Sequence, residues 1–414
     1  MVMKHLQNDD PEIAALIQRE ESRIGATLDL IAAESHMPAS VMEAMGSIFN
    51  TKAIEGYPGK RFHAGCVHAD EVEALAVSRA KELFGAEYAN VQPHSGTSAN
   101  LAVYFSVLKV GDKILSMSLP HGGHLSHGHR ASITSKCFDF VHYNVDEKTE
   151  LIDYDEVRNL AKQHEPKMLV AGASSYPRLI DYERMAAIAR EVSAYLFVDM
   201  AHIAGLVAGG AIPSPVPFSD FVTFTCYKTM MGARGGVILC RREYGRKVDS
   251  AVFPGCQGTS AVNLIAGKAV TFKLAMAPEF VHIQRATIEN AKLLADELAG
   301  RGYRIVTNGT DNHQVLVDVA SKGISGNAAE KGLESVGIVV NRNVIPSDAR
   351  NPAQISGIRI GTSGVTSRGM GRKEMAAIAA AVDITLMNLE NETVLEDVSR
   401  TIAGLAREFH VYAS

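Results

Sequence analysis

FVTFTCYKTMMGARGGVILC, residues 221–240, decides how the rest of the chain is read. Its two ends, FVTFTC and GGVILC, are apolar, of strand length and rich in β-branched and aromatic residues. Between them stands Lys228, followed within eight residues by Gly232, Gly235 and Gly236. Taken alone, a lysine after a strand reads as a surface group. Working outward, similar apolar runs occur at AYLFVDM (194–200), KMLVAGA (167–173), CFDFVHY (137–143) and KILSMS (113–118), with helical patterns between several of them. Strands alternating with helices make a mainly parallel sheet covered on both faces, so the fold class expected is α/β.

Residues 1–69 show little such alternation and read as an N-terminal arm, with a helix over about 9–26 and the loop EGYPGKRFHAG at 55–65. The large domain is expected over 70–278. After Pro278 a long helix, EFVHIQRATIENAKLLADELAGRG, and short strands (YRIVTN, QVLVDVA, GIVVN, GIRIGT) suggest a smaller α+β domain over 279–414.

The chain has 414 residues, 46% hydrophobic and 21% charged, with a net charge of −5. This balance suits a globular enzyme and favours neither nucleic acid nor an anionic membrane surface. The five cysteines (Cys66, Cys137, Cys226, Cys240, Cys256) form no CxxC pair and are odd in number, which argues against a disulfide framework or a zinc knuckle. With no signal-peptide pattern at the N-terminus and no run of membrane-span length, a cytoplasmic location is expected.

In a parallel sheet, ligands bind beyond the carboxyl ends of the strands. Asp199 ends AYLFVDM, with His202 three residues on. It reads either as a helix cap or as the partner of a cationic ring nitrogen, such as a pyridinium cofactor carries. PHSGTSAN (93–100) places Ser95, Gly96, Thr97 and Ser98 before a helix, either an ordinary capped turn or a phosphate cradle. It lacks the GK[ST] element of a nucleotide-binding loop. HGGHLSHGH holds His121, His124, His127 and His129, but no acidic or cysteine set beside them completes a metal site. A ring-stacking role for His124 suits the loop better. Arg359, at a strand end in GIRIGT, offers a planar fork to a substrate carboxylate or forms an ion pair. Together, Lys228, Asp199, the phosphate turn and Arg359 are what pyridoxal phosphate (PLP) chemistry on an amino acid requires.

Along nearly the whole chain, EGYPGKR, NVQPHSG, VDMAHIAGL, HGGHLSHG, SAVFPG, IAGKAV, TDNH and SGIRIGT resemble serine hydroxymethyltransferase, a PLP enzyme of fold type I. The resemblance implies an aspartate aminotransferase-like, mainly parallel seven-stranded sheet with a smaller α+β C-terminal domain. It implies that Lys228 is the Schiff-base lysine, Asp199 the partner of the pyridine nitrogen and His124 the stacked imidazole. Ser174 and His202 would lie near the ring hydroxyl, with Thr225 among the catalytic residues. Ser95, Gly96 and Thr97 would hold the phosphate, and Gly258 would come from a neighbouring subunit. Arg359 would bind the substrate carboxylate. Glu55 would act as acid and base, with His63 and Ala33 also at the substrate. Leu119, Gly123, Leu125 and Asn343 fall where the family contacts tetrahydrofolate. No metal is implied, and a homodimer or larger assembly is.

Several positions depart from that pattern. The family usually has Ser at Ala33, Asn at Ser35, Tyr at Ala53, two Tyr at Phe62 and His63, His at Tyr227, Arg or Ala at Met231, and Pro-Ala at Ser363 and Gly364. These lie on the substrate and folate side, leaving the cofactor residues intact. Three functions follow from the sequence. One is serine–glycine hydroxymethyl transfer with tetrahydrofolate. A second is action on an α-substituted serine such as α-methylserine, or a folate-independent aldolase of β-hydroxy amino acids. The third is a non-catalytic homologue that binds or regulates.

Overall fold

The structure, a computed structural model, describes residues 4–346, 348 and 355–412. Its centre is a seven-stranded sheet of β1 (Tyr88–Asn90), β2 (Lys113–Met117), β3 (Asp139–Tyr143), β4 (Met168–Ala171), β5 (Tyr195–Asp199), β6 (Phe221–Thr225) and β7 (Gly236–Cys240). The spatial order is β1-β7-β6-β5-β4-β2-β3. Four consecutive pairings, β6 to β5 to β4 to β2 to β3, are parallel. Strand β7 runs against both of its neighbours, β6 and β1. The sheet is therefore mixed but mainly parallel.

Strands β4, β6 and β7 are buried at every position, as expected of strands covered on both faces rather than half-exposed ones. One apolar cluster includes Leu115, Leu169, Val198, Phe224 and Val237; the other includes Ile114, Met168, Phe197, Phe221 and Ile238. These alternate along each strand, so the two clusters line opposite faces of the pleat.

A third cluster belongs to a second, four-stranded antiparallel sheet built from Arg304–Ile305, Gln314–Asp318, Gly357–Gly361 and Asn341–Asn343. It gathers Val315, Val317, Ile358, Ile360, Leu333 and Ile378. The 23-residue helix Pro278–Gly300 is long enough to serve two cores: Phe280 and Ile288 pack on the large one, Leu294 and Leu298 on the small one. Chain from the opening segment also enters the small core. Leu28–Asp29 pairs in parallel with Ile338–Val339, and Leu28 and Leu30 are fully buried there. Gly361 lies so close to this segment that a Cβ on it would come within 2.3 Å of Ala32 Cα. The arm thus brings residues 30–36 alongside the strand that bears Arg359.

Candidate active site

The carboxyl ends of β1, β2, β4, β5 and β6 open on the same edge of the large sheet, as their parallel directions require. A pocket there is lined by Ser95, Gly96, Thr97, Asn100, His124, His127, Ser174, Asp199, His202, Thr225, Tyr227 and Lys228. A larger cavity of about 380 Å³, walled by Tyr154, Tyr176, Tyr182 and Phe218, lies behind Gly172, Ala173 and Asp199. It is mostly apolar and is not lined by Lys228, so the smaller pocket holds the chemistry.

The turn PHSGTSAN differs from its sequence reading in one respect. The helix begins at Gly96, inside the turn rather than after it, and Ser95 is its N-cap. Ser95 Oγ accepts from Ser98 N, while Ser98 Oγ accepts from Ser95 N at 2.9 Å, a reciprocal capping box. That arrangement occupies the serines and leaves the N–H groups of Gly96 and Thr97, at the positive end of the helix, to face the pocket. Gly96 is required because a Cβ there would lie 2.7 Å from Thr225 Cγ2.

Asp199 ends β5 with 9% of its surface exposed. Its Oδ2 accepts from Asn100 Nδ2 at 2.8 Å and from His127 Nε2 at 3.1 Å, and its Oδ1 accepts from Ala201 N at 3.0 Å. Burial opposes the charge, but these donors outweigh it and hold the carboxyl well below its ordinary range, hence ionised. The donors are themselves fixed: Asn100 Oδ1 accepts from Thr223 Oγ1 at 2.6 Å, and His127 Nδ1 meets the Tyr104 hydroxyl at 2.6 Å. The fold brings Asp199 beside His124 and His127, an acidic neighbour the loop sequence did not show, with ligand atoms within 4.8 Å of one another; His127 Nε2 is bonded to Asp199 and His124 Nδ1 to Ser126. His124 Nδ1 accepts from Ser126 N and Ser126 Oγ, placing the proton of the neutral ring on Nε2. Burial lowers His124 to about 4, so at neutral pH it is an uncharged, planar group.

Lys228 follows β6, is 9% exposed, and is lowered to about 8, chiefly by burial. Asp199 opposes that shift and Arg359 adds to it. Beside Lys228, Thr225 Oγ1 and His202 Nδ1 are buried without a hydrogen-bond partner. His202 stacks on His313, rings 5.7 Å apart, and His313 donates through Nε2 to Ala32 O at 3.1 Å. Arg359 stands in the middle of the strand Gly357–Gly361 rather than at its end, and reaches across from the small sheet: Nη1 donates to Ser174 O at 2.5 Å and Nε to Asn341 Oδ1 at 3.1 Å. Burial lowers it to about 10, which leaves it charged at neutral pH.

A family model described as serine hydroxymethyltransferase matches residues 6–382. The chain belongs to the serine hydroxymethyltransferase family. Members are PLP-dependent hydroxymethyltransferases of fold type I that use tetrahydrofolate as co-substrate, and the mixed seven-stranded sheet is the architecture of that fold. The pocket fits PLP on its own chemistry. It presents a partly neutral amine, an ionised carboxylate at its floor, helix N–H groups at one end, and two orphaned buried polar atoms for a polar guest.

The remaining sequence candidates fall outside this pocket. Glu55 and His63 lie on the loop around the Gly56–Tyr57 hairpin, with Glu55 Oε2 3.5 Å from His63 Nε2 and both side chains about 40% exposed. Gly258 is exposed, with open space where a Cβ would point. Leu119 and Leu125 are exposed apolar residues on the histidine-rich loop, whereas Gly123 packs tightly, a Cβ there meeting Met117 O at 2.2 Å. Asn343 lies on the small sheet, and Ala33 follows Ala32 near Gly361. Sequence reasoning missed Asn100, Thr223 and Tyr104 as the supports of Asp199 and His127. Asn100 stands within the quoted turn, one helical turn after Thr97, which is the only signal it carried.

Tyr227 lines the pocket beside Lys228 and its ring lies under the Arg234 guanidinium at 4.3 Å. Met231 adopts φ +56° and donates its N–H to Lys228 O at 2.9 Å. Gly364 packs against the arm: a Cβ there would lie 2.8 Å from Asp29 O.

Proposed function

We propose that this enzyme interconverts serine and glycine, passing the one-carbon unit to and from tetrahydrofolate. The observation that supports the reading is the meeting of Lys228, Asp199 and the Gly96–Thr97 helix start in one pocket, with Arg359 hydrogen-bonded to Ser174 O on its wall. PLP bound there supplies an electron sink for cleavage of the bond between the substrate's Cα and Cβ. Lys228 would anchor the cofactor, Asp199 would keep a proton on the ring nitrogen, and Ser95, Gly96 and Thr97 would hold the phosphate. His124 would lie against the ring, with Thr225, Ser174 and His202 around its polar edge.

Arg359 would take the substrate carboxylate. Two of its nitrogens are tied to Ser174 O and Asn341 Oδ1, which fixes the plane of the guanidinium before substrate arrives and leaves donors to spare. Glu55 would handle the hydroxyl proton, with His63 as its neighbour. Both lie on an exposed loop outside the pocket, as does Gly258, which supports a site completed by a second copy of the chain. Leu119, Gly123, Leu125 and Asn343 would form the folate side. A large domain over 70–278, a small one over 279–414 and an arm over 1–69 fit this arrangement.

A second reading, action on an α-substituted serine or a folate-independent aldol cleavage, is favoured by two departures: Tyr227 in the pocket lining, and His63, 3.5 Å from Glu55. Incubating the holoenzyme with L-serine, α-methyl-L-serine and L-threonine, each with and without tetrahydrofolate, separates the two. Folate-dependent glycine from serine is the expected product. No glycine from serine together with alanine from α-methylserine would overturn the first reading.

A further inference from the structure

The segment IAGKAV (265–270) takes no part in the pocket, yet it carries a lysine in the interior. Lys268, on the helix Val262–Ala275, is 1% exposed. Its Nζ donates to Val91 O at 2.7 Å, Gly236 O at 2.9 Å and Pro93 O at 3.1 Å. Three acceptors satisfy its three protons. All are neutral carbonyls; burial lowers Lys268 to about 8, opposed by Cys226 and the Glu73 carboxylate, so it stays mostly charged at neutral pH without a carboxylate within hydrogen-bond distance. An uncharged donor would tie these carbonyls together at lower desolvation cost, so the charge itself calls for a reason.

The carbonyls belong to two segments that meet at the phosphate end of the pocket. Residues 91–93 run from β1 into the turn capped by Ser95, and Gly236 opens β7 after the Lys228 loop. The two are in tight contact: a Cβ on Gly236 would come within 2.3 Å of Ser95 O, and one on Gly235 within 2.5 Å of Lys268 Cε. Pro93, whose carbonyl Nζ holds, stands two residues before that cap. The ammonium therefore lies just behind the helix start whose Gly96 and Thr97 N–H groups face the pocket, in a water-poor interior where charge is weakly screened.

We propose that Lys268 is a positioning residue for the cofactor phosphate: it pins the turn at 91–95 against β7 and places a buried positive charge behind the helix N–H groups. The proposal rests on the reading of Ser95–Thr97 as the phosphate cradle. A phosphate dianion feels that charge and a phosphate-free analogue does not, which separates this role from general support of the wall.

The test is equilibrium titration of apoprotein with PLP and with pyridoxal, followed by the absorbance of the bound chromophore, in wild type, Lys268→Met and Lys268→Gln. Thermal melts of each apoprotein check folding. The expected result for Lys268→Met is PLP affinity weakened about tenfold or more, with pyridoxal affinity changed less than about threefold. Lys268→Gln, which keeps amide donors but not the charge, shows the same selective loss and decides the matter if Lys268→Met does not fold. Equal weakening of both ligands, or of neither, overturns the proposal. A wild type that binds PLP no better than pyridoxal overturns the cradle reading itself, and is seen before any variant is made.

Discussion

If Lys228 is the proposed anchor of PLP, it must be an amine, not an ammonium, to attack the aldehyde, and the rate of cofactor addition to apoprotein then follows its titration. A lysine titrating at about 8 is about one-quarter neutral at pH 7.5, against about 0.1% for one near 10.5. Burial therefore raises the reactive fraction about two-hundredfold. Part of the shift comes from Arg359, whose charge disfavours a second cation nearby. Removing that charge in Arg359→Met is expected to raise the midpoint by on the order of one pH unit, about 1.4 kcal/mol. At pH 7.5 the variant is then about 3% neutral and adds cofactor about eightfold more slowly. Because no amino acid is present, loss of the carboxylate site does not confuse the measurement. The assay is stopped-flow absorbance of apoprotein mixed with PLP between pH 6.5 and 9.5. A wild-type midpoint near 10.5, or an Arg359→Met midpoint equal to or below that of the wild type, would refute the reasoning.

The same burial costs stability. The native chain releases the Lys228 proton near 8 and the unfolded chain near 10.5, so between these values the unfolded state binds more protons and wild-type stability rises with pH. Lys228→Met apoprotein should be more stable below pH 8 by about 3 kcal/mol, a gain that shrinks to nothing above about pH 10.5 in urea titrations at several pH values. Gly96→Ala should weaken PLP binding about tenfold or more by forcing the turn away from Thr225, and adding Thr225→Ser, which removes the methyl in the way, should restore part of it; no rescue would mean the contact is not the cause. Glu55→Gln should lower kcat with serine by about 10²–10⁴ while leaving PLP binding unchanged, and near-normal turnover would remove Glu55 from the proton transfer.

Six of the seven large-sheet strands were legible as apolar runs: five because strands covered on both faces carry little polar alternation, and the half-exposed edge strand β3 through its aromatic and β-branched residues. The seventh, Tyr88–Asn90, has three residues, too few to show a period. The start of the helix at Gly96 was hidden for a different reason: Gly-Thr-Ser-Ala-Asn is turn composition, and its helicity depends on the capping box and on packing against β6. Lys228 and Asp199 could be singled out since each ends an apolar run, where an ionisable group needs a partner. The partners could not, because sequence does not show that Asn100 lies 99 residues before Asp199 in the chain yet within 2.8 Å in space, nor that His127 lies at 3.1 Å. Likewise Ser174 O, which orients Arg359, is a backbone atom 185 residues away from it, and backbone atoms leave no trace in composition.

What those hidden partners accomplish is a division of protonation states within one desolvated pocket. Burial alone would push a carboxyl toward its neutral acid and an amine toward its neutral base. The pocket lets burial prevail at Lys228, with the Arg359 charge assisting, and defeats it at Asp199 with the imidazoles, His127 above all, and Asn100. An ionised acid can then keep a proton on a ring nitrogen while, in the same space, a partly neutral amine can attack. The histidines follow the amine: burial keeps His124 uncharged, and His202 is held well below its ordinary range, so neither adds a cation to the pocket. Selectivity between acid and bases therefore resides in the hydrogen bonds to Asp199. Asn100→Leu, which deletes the 2.8 Å donor and leaves Thr223 Oγ1 without its acceptor, is the substitution by which an otherwise intact pocket would lose that distinction.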